Sequence, residues 1–147
     1  MATIRKAEIN DVAELLVLEN ELFSPPYKEE DLLYFIQEPN YARVAVLSKK
    51  AEIIGFYIIL IMFEEAQIVQ LAIKQAYQRL GYAKQLLQDI IARAKEQGCE
   101  KLTLEVRVSN EKAWGLYQQF GFKPLAMRKD YYVQPQEDAV ILGRNLL

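Results

Sequence analysis

Histidine is absent from the 147 residues and cysteine occurs once, at Cys99. The commonest general base is therefore missing, no intramolecular disulfide can form, and the usual zinc ligands cannot assemble. No excess of one charge exists either: 18 basic and 20 acidic residues leave a net charge of −2. That balance provides no electrostatic footprint for a phosphate backbone, so nucleic acid is not expected as a partner. Long hydrophobic runs are lacking too. The longest, Ile53 to Phe63, is far below the ~20 residues of a membrane helix and contains Gly55, so it reads as a buried strand. Polar residues Glu8, Asn10 and Asp11 interrupt the apolar stretch that a signal peptide would need, and the expectation is a mature cytoplasmic protein with no membrane partner. Repeats, low-complexity tracts and linkers are also absent. With 52% apolar residues, positions 1–147 suffice for one domain around one core.

The apolar spacing predicts an opening strand at Thr3 to Ala7 and a helix capped by Asn10, stopped by Ser24-Pro25-Pro26. A second helix is expected from about Lys28 to Gln37, with Glu29, Glu30 and Asp31 in its first turn. Strands follow at Arg43 to Ser48, Ile53 to Glu64 and Gln67 to Ile73, joined by turns short enough for antiparallel hairpins. Ala83, Leu87, Ile90, Ile91 and Ala94 mark one face of a helix from Leu80 to Gln97, ended by Gly98. A strand at Lys101 to Val106, a helix from Asn110 to Phe120, and strands at Phe122 to Tyr132 and Ala139 to Asn145 complete the chain. The predicted class is α/β (α+β), in the order β-α-α-β-β-β-α-β-α-β-β, and chemistry is to be sought at loop and helix ends.

Gln78-Arg79-Leu80-Gly81-Tyr82-Ala83-Lys84 lies between a strand and a helix. A glycine there admits close backbone approach, and the free N–H groups and dipole of a helix start favour an anion. A helix start that merely contains glycine is the alternative. Further on, Leu104-Glu105-Val106-Arg107-Val108-Ser109-Asn110 leads from strand to helix, followed by Leu116-Tyr117 and Phe120-Gly121-Phe122. On residue type alone, Glu105 is equally a solvent-facing strand residue and Tyr117 a core aromatic.

Together these stretches resemble the GNAT superfamily of acetyltransferases, whose Gln/Arg-x-x-Gly-x-Gly/Ala motif is matched by Gln78, Gly81 and Ala83. The second stretch, with Asp130-Tyr131-Tyr132 and Glu137-Asp138-Ala139, is similar to the ribosomal-protein-alanine N-acetyltransferases, the RimI type. The resemblance covers nearly the whole chain, most strongly from about Leu71 to Ala139. It implies a GNAT-like fold, with a central, mostly antiparallel mixed sheet flanked by helices, and acetyl-CoA as cosubstrate without a metal. The backbone of Arg79, Leu80, Gly81, Tyr82, Ala83 and Lys84 would hold the pyrophosphate. Leu71, Ala72 and Ile73 would face the pantetheine and acetyl group beside a splayed strand end, and Asn110 would hydrogen-bond the cofactor. By the same resemblance Glu105 is the general base and Tyr117 the acid that protonates the coenzyme A sulfur. Tyr27, with the Pro25-Pro26 loop, and Tyr131 and Tyr132 would wall the acceptor channel. Ala83 stands where glycine is frequent, Lys74-Gln75 replace Asp-Pro, and Tyr27 and Lys28 replace Trp and Ser, which bears on acceptor breadth.

Amide formation needs a neutral amine, a route for its proton, and protonation of the leaving thiolate. Cys99 has no histidine to activate it, so direct attack by the amine in a ternary complex is the expected route. An α-amino group, with pKa near ~8 against ~10.4 for lysine, is the easier to deprotonate. The leading expectation is acetylation of the N-terminal alanine of a small-subunit ribosomal protein. The alternatives are a lysine or small-molecule acceptor, and a coenzyme A-binding regulatory module without turnover.

Overall fold

The computed structural model describes residues 1–133 and 135–147, and its strands and helices follow one another in the predicted order. They are β1 (Thr3–Lys6), α1 (Val12–Leu22), α2 (Glu29–Gln37), β2 (Ala42–Lys49), β3 (Glu52–Met62), β4 (Glu65–Ile73), α3 (Tyr82–Glu96), β5 (Lys101–Arg107), α4 (Glu111–Gln119), β6 (Lys123–Val133) and β7 (Gln136–Asn145). The strands form one sheet in the order β1-β2-β3-β4-β5-β7-β6. Every neighbouring pair is antiparallel except β4 with β5. A parallel pair needs a crossover, and α3 supplies it.

Both faces of the middle of the sheet are covered. Leu15, Leu18 and Leu32 of α1 and α2 pack on Val44, Val46, Phe56 and Ile58. On the other face, Leu86, Leu87, Ile90 and Ala94 of α3 pack on Ala45, Tyr57, Leu102 and Leu104, and Tyr117 of α4 joins them. That double cover explains why Ile53 through Ile59 are buried without a break; the predicted buried run to Phe63 is too long, since Met62 and Phe63 are exposed at the turn into β4, beyond the covering helices. Among the described residues no helix is long and apolar enough to cross a membrane.

Two helix starts differ from their predicted positions. Asn10 lies in a 3-10 turn (Ile9–Asp11), and Asp11 organises the entry to α1 instead. Its Oδ2 accepts from the Glu8 N–H at 2.7 Å, and its two oxygens take both Arg5 guanidinium nitrogens at 2.8 and 2.9 Å. A carboxylate can serve a cation and an N–H together, which exposed Asn10 cannot. Second, α3 begins at Tyr82 rather than Leu80, because Gly81 takes a left-handed φ of 89° and breaks the helical path.

One irregularity opens the molecule. The parallel pairing of β4 and β5 runs from Glu65↔Lys101 to Ile68↔Leu104 and stops, although β4 continues to Ile73 and β5 to Arg107. Beyond that point β4 is held only by β3, and β5 only by β7. The split coincides with a β-bulge: Ile59 pairs with Ile68 and Ile58 with Gln70, leaving Val69 unpaired. A bulge bends its strand, and here it turns β4 away from β5.

Candidate active site

The split between β4 and β5 is a cleft of about 660 Å³, and the loop after α1, the start of α4 and the end of β6 close in around it. Tyr27, Leu71, Glu105, Asn110, Tyr117, Tyr131 and Tyr132, the residues the resemblance assigned to acceptor, cofactor and catalysis, all line it. A second groove of about 380 Å³ lies at the start of α3, bounded by Leu71, Ile73, Arg79, Gly81, Tyr82, Ala83 and Lys84. Leu71 borders both, so cleft and groove adjoin.

At the groove, the left-handed Gly81 and Arg79 (φ 65°) turn the chain into α3. Among the described residues no acceptor meets the backbone N–H groups of Arg79 through Lys84. A Cβ built on Gly81 would touch nothing within 4 Å, so the space over its backbone is open. Unpaired N–H groups, a helix N-terminus and the cations of Arg79, Lys84 and Lys112 match the chemistry of a pyrophosphate. Lys112 of α4 had no signal in the sequence, since only the fold brings α4 beside α3. Gln78 works differently from its motif position: its Nε2 donates to the Ile73 carbonyl at 2.9 Å and ties the loop to β4. The side chains of Leu71 and Ile73 face the groove, whereas that of Ala72 packs on the opposite face with the α1 and α2 core. Strand alternation requires this, so Ala72 can offer only backbone. Leu80 is exposed and lies outside the groove lining among the described residues.

In the cleft, Glu105 projects from β5, opposite the side of Leu104 and Val106, which enter the core. Its Oε1 lies 3.5 Å from Nε of Arg128, with the Tyr131 phenol beside the carboxylate. The Glu105 carboxylate, followed by burial, pushes the Tyr131 phenol up. Arg128 in turn lies over the Tyr131 ring at 5.5 Å. Tyr117 stands on α4 with its ring against Phe122 at 5.4 Å, and burial pushes its phenol up to about 12. It therefore keeps its proton across the neutral range. Asn110 caps α4, its side-chain oxygen accepting from the Ala113 N–H at 3.2 Å. Glu137, part of the sequence motif, braces this corner: its carboxylate accepts from the Ser109 N–H at 2.6 Å and faces Arg107 at 3.4 Å. Arg107 also lies 4.2 Å from the Tyr132 ring centre. Arg128 was missed by the sequence reading because its strand is exposed almost throughout and carries no alternation. Cys99 is buried in the core, which pushes its thiol up and keeps it from the cleft.

A groove with free N–H groups and cations, adjoining a cleft with a carboxylate and a buried phenol, has the chemistry that acyl transfer from a phosphate-bearing donor requires. The family model of the acetyltransferase (GNAT) family matches residues 11–122. The chain belongs to that family and is an acetyl-CoA-dependent N-acetyltransferase. Within it, the chain is 33% identical over 146 residues to the [ribosomal protein bS18]-alanine N-acetyltransferase of Haemophilus influenzae, covering 97% of this chain and 98% of that one. It is 30% identical over 145 residues to the enzyme of the same name from Escherichia coli K12, covering 97% of each. The crystal structure of the ribosomal-protein-S18-alanine N-acetyltransferase from Escherichia coli superposes with a TM-score of 0.89 at 29% identity, covering 99% of this chain and 94% of that one.

Proposed function

We propose that this enzyme acetylates the α-amino group of the N-terminal alanine of a small-subunit ribosomal protein, in the cytoplasm, by direct attack within a ternary complex, with residues 1–147 acting as one catalytic domain. The observation that carries the reading is the placement of Glu105 and Tyr117 on one cleft between the anion cradle and the aromatic wall of Tyr27, Tyr131 and Tyr132. The names of the relatives matched over nearly their full length support the acceptor. So does a trough of about 430 Å³ that shares Leu104 and Glu105 with the cleft and runs along the sheet past Thr103 to Lys101, between β4 and β6. A small amine would leave that trough unused, whereas an extended polypeptide fills it. No nucleic acid or membrane takes part.

When bound, acetyl-CoA supplies a thioester whose carbonyl the amine attacks and whose thiolate departs. The groove residues Arg79, Lys84 and Lys112 and the N–H groups at the start of α3 hold its phosphates, and the unpaired edge of β4 receives its amide-bearing arm. Glu105 takes the proton of the acceptor ammonium, directly or through a water, with Arg128 and Tyr131 fixing its carboxylate. Tyr117 holds a proton at its hydroxyl for the leaving sulfur. General acid or base groups of this kind each contribute about 10²–10⁴-fold.

The test is mass spectrometry of an alanine-starting ribosomal peptide incubated with acetyl-CoA, beside the same peptide with a blocked N-terminus and a lysine retained. Acetylation of the free N-terminus alone is expected, and modification of the blocked peptide would move the acceptor to lysine. Glu105→Gln is expected to lower kcat/KM by about 10²-fold, with a deficit that shrinks as rising pH frees the amine without help. A pH–rate profile parallel to that of the parent enzyme would remove Glu105 from the role of base.

A further inference from the structure

Glu19 lies on α1 with no solvent exposure and no cation beside it among the described residues. Its Oε1 accepts two hydrogen bonds, from the backbone N–H of Tyr27 at 2.9 Å and from Nε2 of Gln70 at 3.0 Å. Its Oε2 has no partner among the described residues, and neither has Oε1 of Gln70, although both are shut off from solvent. Gln70 is buried too, and it follows the Val69 bulge on the wall of the cleft.

Two bare acceptors on two groups already bonded to each other are an unfavourable arrangement for an ionised carboxylate. One proton removes both faults. A carboxylic acid donates from Oε2 to Oε1 of Gln70 while its Oε1 goes on accepting from Nε2, and acid and amide close a ring of two hydrogen bonds. The surroundings agree. Burial is the largest influence and pushes the carboxyl up, against the hydrogen bonds from Gln70 and the Tyr27 N–H; of the titratable groups facing Glu19, Asp31 on α2 adds to the rise and the Tyr27 phenol in the loop offers no positive charge.

We propose that Glu19 is held as the neutral acid and is a positioning residue for the acceptor: paired with Gln70 and bonded to the Tyr27 N–H, it ties the loop carrying Pro25 and Tyr27 to the bulged edge of β4. It touches no substrate itself. It sets the width of the half of the cleft opposite the cradle, and in this it rests on the reading of that half as the acceptor channel.

Three measurements test this. The ¹³C carboxyl signal of Glu19 in the folded protein, with no acceptor present, is expected to remain that of a protonated acid at a pH where the exposed glutamates have already ionised. A signal of the ionised form there overturns the proposal. Glu19→Gln keeps both bonds of the ring, with an N–H in place of the O–H. It is expected to retain the peptide KM within about twofold, and to lose the rise in peptide KM that the parent enzyme shows as pH climbs past the Glu19 titration. Glu19→Leu breaks the tie and is expected to raise peptide KM about tenfold with the acetyl-CoA KM unchanged. An unaltered peptide KM in Glu19→Leu, or a Gln variant as impaired as the Leu variant, overturns the positioning role. If Glu19→Leu fails to fold, the carboxyl signal and the Gln variant still decide. If no peptide N-terminus is acetylated, the acceptor reading fails while the carboxyl signal reports on Glu19 independently.

Discussion

The role proposed for Tyr117 rests on one atom. The ring is core, stacked edge-on against Phe122, while the hydroxyl has no partner among the described residues and the residue borders the cleft. Tyr117→Phe keeps the packing and removes the proposed proton donor. The expected result is a kcat lower by about 10²-fold or more, with acetyl-CoA affinity and melting temperature nearly unchanged, read by steady-state kinetics, calorimetry and thermal unfolding. Unchanged turnover would take Tyr117 out of the acid role. Burial raises the phenol to about 12, so its proton stays in place well past neutral pH. An alkaline loss of kcat between about pH 8 and 10 that disappears in the Phe variant would contradict that protonation state.

The elements that matter are the two places where regular structure fails. The bulge at Val69 divides β4 from β5, and Gly81 starts α3 from a left-handed residue. Gly81→Ala meets no neighbouring atom, so its cost to the free protein is the strain of a left-handed alanine, about 1 kcal/mol. On the proposed reading the added methyl would stand where the phosphates approach the backbone. The variant is therefore expected to melt only a few degrees lower than the parent, yet to lose the stabilisation that coenzyme A confers, about 2.7 kcal/mol at a hundredfold excess over Kd. Thermal unfolding with and without coenzyme A measures both. An undiminished ligand shift would place the phosphates elsewhere.

For the whole molecule, acid stability turns on carboxylates whose folded environments pull in opposite directions. Asp11 is held below the usual carboxylate range, first by its hydrogen bonds from Arg5 and then by the Glu8 N–H, against the opposing effect of burial. Its contribution is therefore present above the ordinary carboxylate value and is lost as pH falls through the lowered folded one. Glu19 is raised, so its contribution is present below the ordinary value and fades as pH rises through the raised one. Asp11→Asn is expected to destabilise the protein at neutral pH by about 1–2 kcal/mol, since the cap bond and the Arg5 pair are both weakened. The gap to the parent should narrow toward pH 3, as urea unfolding at several pH values would show. A gap that does not change with pH would assign the loss to packing rather than to the charge.

The order of strands and helices was legible in the sequence because each element carries its own local record: the helical spacing of Leu87, Ile90, Ile91 and Ala94, the continuous run in β3, the cap at Asn110 and the glycine stop at Gly121. Glu105 and Tyr117 were singled out only by the resemblance of their stretch to a family motif, and the fold brings both to one cleft. What the sequence could not contain is anything that depends on two distant segments meeting. The Val69 bulge exists only as a register difference against β3, Arg128 matters only because β6 crosses to reach Glu105, and Lys112 only because α4 lies beside α3. The partnership of Glu19 with Gln70 spans 51 positions, and it is burial, a property of the folded state alone, that turns an ordinary-looking helix glutamate into a neutral strut of the cleft.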